Sequence, residues 1–273
     1  MPRLERLHLQ DFVLKSPIRS HGHPVFALKT LKIYCLVQNT SFSDILYLLS
    51  LFTEINLLKL IFSASNDISP EPSYSTASDL AIHSLDFQST STACGTICRY
   101  LASSRSASTL HSLTLGSLLP SDIPQLNALI DVIWPNLTRL SLSFDAAPPV
   151  ERAQPQLNLA RLLSLQSLEL SIWACTQTWR DIWGILATLS AADNRALRDA
   201  TLLMRQYGRF SMEDAWMVVP HALLNTTYAT LCALHKQGSF ERFTYREQGI
   251  GLRVSHEADM FPDGMRLYLH PAT

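Results

Sequence analysis

Glycine is scarce, nine in 273 residues and few of them clustered. Loops that cradle a phosphate need glycines where the backbone N–H groups converge, so a nucleotide-binding loop has little material here. Charge is scarce as well, at 16% of residues, and neither sign prevails: 22 Lys and Arg stand against 23 Asp and Glu. They also balance on either side of residue 136, so no basic face is expected for a nucleic-acid backbone. No apolar run reaches the roughly 20 residues that cross a bilayer. The richest, from Ile45 to Phe62, is broken by Ser50, Thr53, Glu54, Asn56 and Lys59, so a membrane is not an expected partner. The five cysteines, Cys35, Cys94, Cys98, Cys175 and Cys232, are odd in number and scattered, without the paired spacing of a disulfide framework or a zinc site. They fit a reducing compartment. The opening Met1-Pro2-Arg3-Leu4 enters the first repeat at once, which leaves no room for a cleaved leader. An intracellular protein, cytoplasmic or nuclear, is expected, and the glycosylation-type triplets at Asn39, Asn136 and Asn225 then carry no meaning. Nucleophile elbow, phosphate loop and paired-histidine helix are all missing, so the expectation is no enzyme, no catalytic residue, no metal and no cofactor.

What the chain has in quantity is apolar side chain, 47% of residues, arranged with a period. One six-residue phrase, with apolar residues at its first, fourth and sixth positions, recurs seven times: Leu4/Leu7/Leu9, Leu28/Leu31/Ile33, Ile55/Leu58/Leu60, Ile82/Leu85/Phe87, Leu110/Leu113/Leu115, Leu137/Leu140/Leu142 and Leu165/Leu168/Leu170. Their starts lie 24, 27, 27, 28, 27 and 28 residues apart. A fixed period in this range is the signature of a solenoid, so residues 1–273 are expected to form one elongated domain. Within each phrase the last two apolar positions alternate with polar ones, as in Leu113-Thr114-Leu115, which is the period of a strand with one buried face. Stacked repeats turn such strands into a parallel sheet.

The segments between strands carry helical spacing. Ile45, Leu48, Leu49 and Phe52 form one stripe and Leu126, Leu129, Ile130 and Ile133 another, while Ile97, Cys98 and Leu101 mark a helix that Ala102–Thr109 closes. Thr178-Trp179-Arg180-Asp181 reads as a helix start, as does Ser121-Asp122 ahead of Pro124. Two proline-bearing linkers, Ser63–Ser78 and Asp145–Pro155, are expected as surface loops. The regular repeats span 4–196; beyond them the period loosens, with weaker phrases at Leu197/Ala200/Leu202, Phe240/Phe243/Tyr245 and Leu267/Leu269. A helix over Ala222–Lys236 and strands over Phe240–Arg246, Gly251–Ser255 and Arg266–His270 are expected there, making 197–273 an irregular cap. At the opposite end Leu4, Leu7 and Leu9 begin an edge strand with an open apolar face, for which a second copy or a further N-terminal domain is the expected cover.

The phrase and its period of 27 to 28 residues resemble the leucine-rich-repeat superfamily, in particular the longer-repeat intracellular members. The resemblance implies an α/β, right-handed solenoid, a horseshoe with a parallel concave sheet and convex helices. The proline-broken linkers and irregular last repeats look like the leucine-rich-repeat half of fungal F-box proteins, which implies the substrate-receptor arm of a ubiquitin ligase. No segment reads as the F-box itself. The family also places Asn or Cys three residues after the final apolar position, where this chain has Phe12, Leu36, Ser63, Thr90, Leu118, Asp145 and Trp173. The hydrogen-bonded ladder of those asparagines is therefore expected to be mostly missing.

The strand positions that alternate with leucine should form the concave surface, the expected binding face for a protein partner. Its candidate residues are Arg6, His8, Lys32, Tyr34, Leu57, Lys59, Ile61 and Asp86, with Arg139 and Glu169 further on. The N-terminal third is basic, with an aromatic and two aliphatics, residue types that anchor protein interfaces; the rest is mainly hydroxyls, Ser143 and Ser171 among them. A merely solvated sheet face is the alternative. His83 and His111 should lie side by side one strand apart, short of the third ligand a metal needs, and His21-Gly22-His23-Pro24 reads as a turn. Cys94 and Cys98, four apart on one helical face, read as small buried hydrophobes. Two further functions stay open: an enzyme with a site in 197–273, and an assembly unit that pairs through the bare N-terminal edge.

Overall fold

Each leucine phrase becomes a strand, because alternation offers a sheet one face to bury and one to leave wet. The computed structural model of the chain describes residues 4–11, 26–35, 42–62, 79–89, 93–144, 156–173, 185, 188, 196–206, 242–249 and 257–259. They belong to two compact units, Met1–Leu137 and Thr138–Thr273. In the first, the order is β1 (Arg6–Gln10), β2 (Phe26–Cys35), α1 (Phe42–Leu49), β3 (Phe52–Phe62), β4 (Ala81–Ser89), α2 (Ala93–Ser103), β5 (Ser112–Leu118) and α3 (Ile123–Ile133). The strands β1 to β5 pair in chain order and parallel throughout. In the second unit β6 (Arg139–Phe144), β7 (Ser167–Trp173), β8 (Asp199–Gln206) and β9 (Arg242–Gly249) also pair parallel in chain order. A short β10 (Glu257–Asp259) adds to β9 antiparallel. The fold class is α/β with parallel sheet pairing, as the alternation and period require.

The pairing register matches the phrases one to one. Leu7 pairs with Leu31, Leu31 with Leu58, Leu58 with Leu85 and Leu85 with Leu113; the column Leu9, Ile33, Leu60, Phe87 and Leu115 runs beside it. In the second unit Leu140 pairs with Leu168 and Leu168 with Ala200. From β2 to β7 every leucine-type position of these phrases is buried. At β1, by contrast, Leu4 is 60% exposed and Leu7 and Leu9 are half-buried. The helices cover the apolar face: Phe42 of α1 meets Phe62 and Phe87 edge-on at 6.1 and 6.3 Å between ring centres. Ile97, Cys98 and Leu101 of α2 and Leu126, Leu129, Ile130 and Ile133 of α3 are buried likewise.

Some local expectations shift. Phe52 opens β3 instead of closing α1, because the helix ends at Leu49 and the strand starts three residues before its phrase. Phe52 stays buried and packs edge-on against Phe26 at 6.5 Å. Helix α2 ends at Ser103 and passes into a 3-10 turn, Arg105–Ser108, within the segment expected to close it. Helix α3 begins at the Ser121-Asp122-Pro124 signal, yet Asp122 makes no side-chain cap for its own helix. The C-terminal strand expected over 240–246 is found as β9, two residues later. Of the helix expected after Thr178 only Ile185 and Thr188 are described, both helical; the helix over 222–236, the strands at 251–255 and 266–270, the linkers 63–78 and 145–155, and the turn at 21–24 lie outside the described residues.

The sequence has neither Asn nor Cys at the seven ladder positions, and other side chains tie one repeat to the next. The buried Ser106 hydroxyl donates to the Leu80 carbonyl at 2.9 Å and accepts the Ile82 N–H at 3.1 Å, spanning 26 and 24 residues. Thr109 Oγ1 donates to the Ile82 carbonyl at 3.0 Å, and Asn136 Nδ2 to the Ser108 carbonyl at 2.9 Å. In the second unit Thr188 Oγ1 accepts the Leu159 N–H at 3.1 Å while donating to the Ile185 carbonyl at 2.7 Å. The Ser106 contacts are buried, and a buried backbone group left without its partner costs about 1–3 kcal/mol.

Two outcomes follow for stability. Leu113→Asp, in the middle of the first unit's buried column, is expected to abolish the cooperative unfolding transition followed by circular dichroism; a wild-type melt would mean the register is wrong. Ser106→Ala is expected to lower the free energy of urea unfolding by about 1–3 kcal/mol, since it removes the acceptor of the buried Ile82 N–H and a donor to the Leu80 carbonyl.

Candidate functional site

On the face opposite the helices the first unit carries three rows of side chains across neighbouring strands. The middle row runs His8, Lys32, Lys59, Asp86, Thr114; above and below it run Gln10, Tyr34, Ile61, Gln88, Gly116 and Arg6, Thr30, Leu57, Ser84, Ser112. All eight candidates of this unit, Arg6, His8, Lys32, Tyr34, Leu57, Lys59, Ile61 and Asp86, thus share one surface. Strand separation of about 4.8 Å makes adjacent members of a row neighbours. On β2 to β4 the candidates are half-buried, as expected where flanking strands crowd each side chain; Arg6 and His8 on β1 are exposed. Arg139 and Glu169 sit on the equivalent face of the second unit, Arg139 exposed and paired in register with Ser167, Glu169 half-buried and paired with Ser141.

The contacts within the surface are specific. Lys59 Nζ reaches Asp86 Oδ2 at 2.6 Å with the two side chains 27% and 23% exposed, and Gln88 Nε2 donates to the other oxygen, Oδ1, at 3.2 Å. The His8 and Tyr34 rings pack together at 4.8 Å between centres, tilted by 53°. Ser141 Oγ donates to Glu169 Oε1 at 3.1 Å. Ser143 and Ser171, expected on the wetted face of the second unit, are buried, so the hydroxyl face of that unit is narrower than the alternation implies.

His83 and His111 do lie side by side, with ring centres 6.1 Å apart and the His111 N–H donated to the His83 carbonyl at 2.9 Å. His83 Nε2 also meets Glu54 Oε1 at 3.1 Å, a partner that strand alternation did not predict. Among the described residues no group of three His, Cys, Asp or Glu side chains is placed to hold a metal.

A second polar centre lies on the helix side and was missed in the sequence. Asp122 is only 3% exposed; its Oδ1 accepts the Gly95 N–H in the first turn of α2 at 3.0 Å and its Oδ2 the Leu119 N–H at 3.0 Å. The carboxylate of one repeat thereby caps the helix of the repeat before it, where the helix terminus favours negative charge. Asp122 follows Gly95 by 27 residues, one repeat length, and that spacing was the available signal. Burial raises the Asp122 carboxyl above the usual aspartate range, while the Leu119 and Gly95 N–H groups pull it the other way. The adjacent thiols are buried as well. Burial, with a smaller push from Asp122, takes Cys98 up to about 12 and raises Cys94, whose Sγ donates to the Gly116 carbonyl at 3.3 Å.

No protein-family model matches the chain, and neither a curated protein nor a solved structure is significantly similar to it. Among the described residues no helix is long and apolar enough to cross a membrane.

The raised Asp122 value means that the folded state binds its proton more tightly than the unfolded one. Its contribution is fully present below the ordinary value of 3.8 and is lost as pH rises through the raised native value. Asp122→Asn removes that titration and replaces one acceptor oxygen by a donor. The variant is therefore expected to be less stable at acid pH, with a gap to wild type that narrows as pH rises above the ordinary aspartate value of 3.8 in urea unfolding. The thiols predict a chemical result: with iodoacetamide at about pH 8, the peptide bearing Cys94 and Cys98 stays unmodified in the native protein and is alkylated in denaturant, as read by mass spectrometry.

Proposed function

We propose that the chain is a leucine-rich-repeat solenoid, one domain over 1–273 with 197–273 as its irregular cap, that works as a non-catalytic scaffold holding a protein partner on its concave sheet face. The observation that carries the reading is the first unit's outward surface. Eight candidate side chains from four strands stand in register on it, cationic, aromatic and aliphatic together. Packed rings, an anchored lysine and half-buried aliphatics are pre-ordered, so a partner immobilises few of them on binding, which lowers the entropic cost of association. Tyr34 and Arg6 are of the residue types most often found as interface anchors. In the form suggested by the resemblance to fungal F-box proteins, the scaffold is the substrate-recognition arm of an intracellular ubiquitin ligase whose adaptor-binding part lies elsewhere.

A second reading has its own observation. Leu4 is 60% exposed and Leu7 and Leu9 are half-buried, although the same positions of the next repeat are closed. An apolar edge of that kind suits pairing with a second copy or cover by a further domain.

The test is capture of partners by the full chain and by two variants. Tyr34→Ala with Leu57→Ala is expected to weaken a captured partner by about tenfold or more, in line with the loss of a hot spot. Val132→Ser, on the exposed side of α3, is expected to leave it unchanged. Equal capture by all three removes the sheet face from consideration, and a dimer that dissociates on Leu7→Arg substitution favours the edge instead.

A further inference from the structure

The strands β1 to β5 bear four cations, Arg6, Lys29, Lys32 and Lys59, and two acids, Glu54 and Asp86. Asp86 holds Lys59 at 2.6 Å, Glu54 is engaged by His83 at 3.1 Å, and Lys29 pairs at 2.8 Å with Glu5, which precedes β1. Arg6 and Lys32 make no salt bridge among the described residues; the Glu5 carboxylate feels the Arg6 charge, but it is already held by Lys29. Lys32 stands in its row between His8 and Lys59, with Thr30 and Tyr34 to either side along β2 and no acid in the adjoining positions. The neighbouring Lys59 is drawn to the far side by Asp86, which itself already accepts from Gln88. Asp11, past the end of β1, is five residues from Arg6, about 16 Å of extended chain. The leftover charge is flanked by apolar matter: the His8–Tyr34 ring pair at 4.8 Å and the half-buried Leu57 and Ile61.

We infer that this surface takes an acidic, extended protein segment, with a carboxylate at Arg6 and Lys32 and apolar side chains over Leu57 and over the Tyr34–Ile61 pair. The inference rests on the reading of the sheet face as the binding face and adds the chemistry of its partner. Two open cations suit one or two carboxylates. They are too few for a nucleic-acid strand, whose binding proteins typically engage roughly 6–10 phosphates, and the chain as a whole carries a formal charge of −1. The apolar flank suits a side chain of alternating spacing, since a bound extended segment presents every second residue to the sheet. Opposite charge across such a contact chiefly sets the partner and the speed of encounter, so recognition should weaken with salt.

A random-peptide display library selected on the immobilised full chain tests this. Wild type is expected to enrich Asp and Glu beside apolar residues, and the synthetic winners to lose affinity by about tenfold or more on Arg6→Glu with Lys32→Glu. The same library selected on that variant should shift toward Lys and Arg. Both residues are on the wetted face, so the variant should melt as wild type does; should it fail to fold, Arg6→Gln with Lys32→Gln is expected to give a smaller loss in the same direction. Winners that are neutral or basic, yet still lost on Tyr34→Ala with Leu57→Ala, would overturn the acidic partner and leave the sheet face standing as the site. Winners indifferent to every variant of the face would overturn both. Tighter binding of an oligodeoxythymidylate than of any acidic peptide would overturn the choice of a protein segment.

Discussion

Everything in this fold depends on the strand register that puts leucine against leucine. A parallel strand shifted by one residue would turn its whole apolar set to the wet face and its lysines into the core, so the cost of a slip is paid at every buried position at once. Burying one such side chain contributes roughly 1.5–3 kcal/mol, and within one strand two or three slip together. The columns Leu31, Leu58, Leu85, Leu113 and Ile33, Leu60, Phe87, Leu115 are thus both the adhesive and the gauge of the first unit. By the same geometry the outward residues have no freedom of placement: once Leu58 faces inward, Leu57 and Lys59 face out.

The second constraint is how successive repeats satisfy the backbone where they meet. A ladder at the strand exits is one solution; here Ser106, Thr109 and Asn136 ahead of the strands carry it in the first unit, and a helical threonine, Thr188, bonds back one repeat to Leu159 in the second. Asp122 extends the principle to the helices, since its carboxylate accepts from Gly95 one repeat back. A carboxylate is costly to bury, but here it faces two N–H groups, one in the first turn of α2 where the macrodipole favours it. These contacts are directional where the leucine columns are not. They discriminate among registers that burial alone would tolerate only at whole-repeat shifts.

The period made strands, register and outward face legible: Leu113-Thr114-Leu115 leaves no doubt which residue turns inward. Side-chain pairing between repeats was not legible, because it depends on rotamers that alternation says nothing about. Lys59 could have paired with several groups, and it is Asp86, directly across in register, that takes it. Glu54 pointing to His83 is a diagonal choice of the same kind. Phe52 shows a different limit. Three residues ahead of its phrase, it satisfies a helical stripe and a strand equally well, and the early helix end at Leu49 decides between them. Ser143 and Ser171 follow the alternation outward and are nevertheless buried, so position on a face does not ensure contact with water.

Register and pairing together explain why charge collects where it does. Two adjacent strands that each place a lysine in the same row, Lys32 and Lys59, face a repulsion that the sheet cannot relieve by moving either backbone. Asp86 on the next strand relieves it by drawing one ammonium away, and in doing so is itself neutralised. An acid between the two lysines would have silenced both; an acid beyond them silences only the nearer. The surplus on Lys32 is therefore a consequence of order along the row, and it would vanish if the acid stood on β3 and the second lysine on β4.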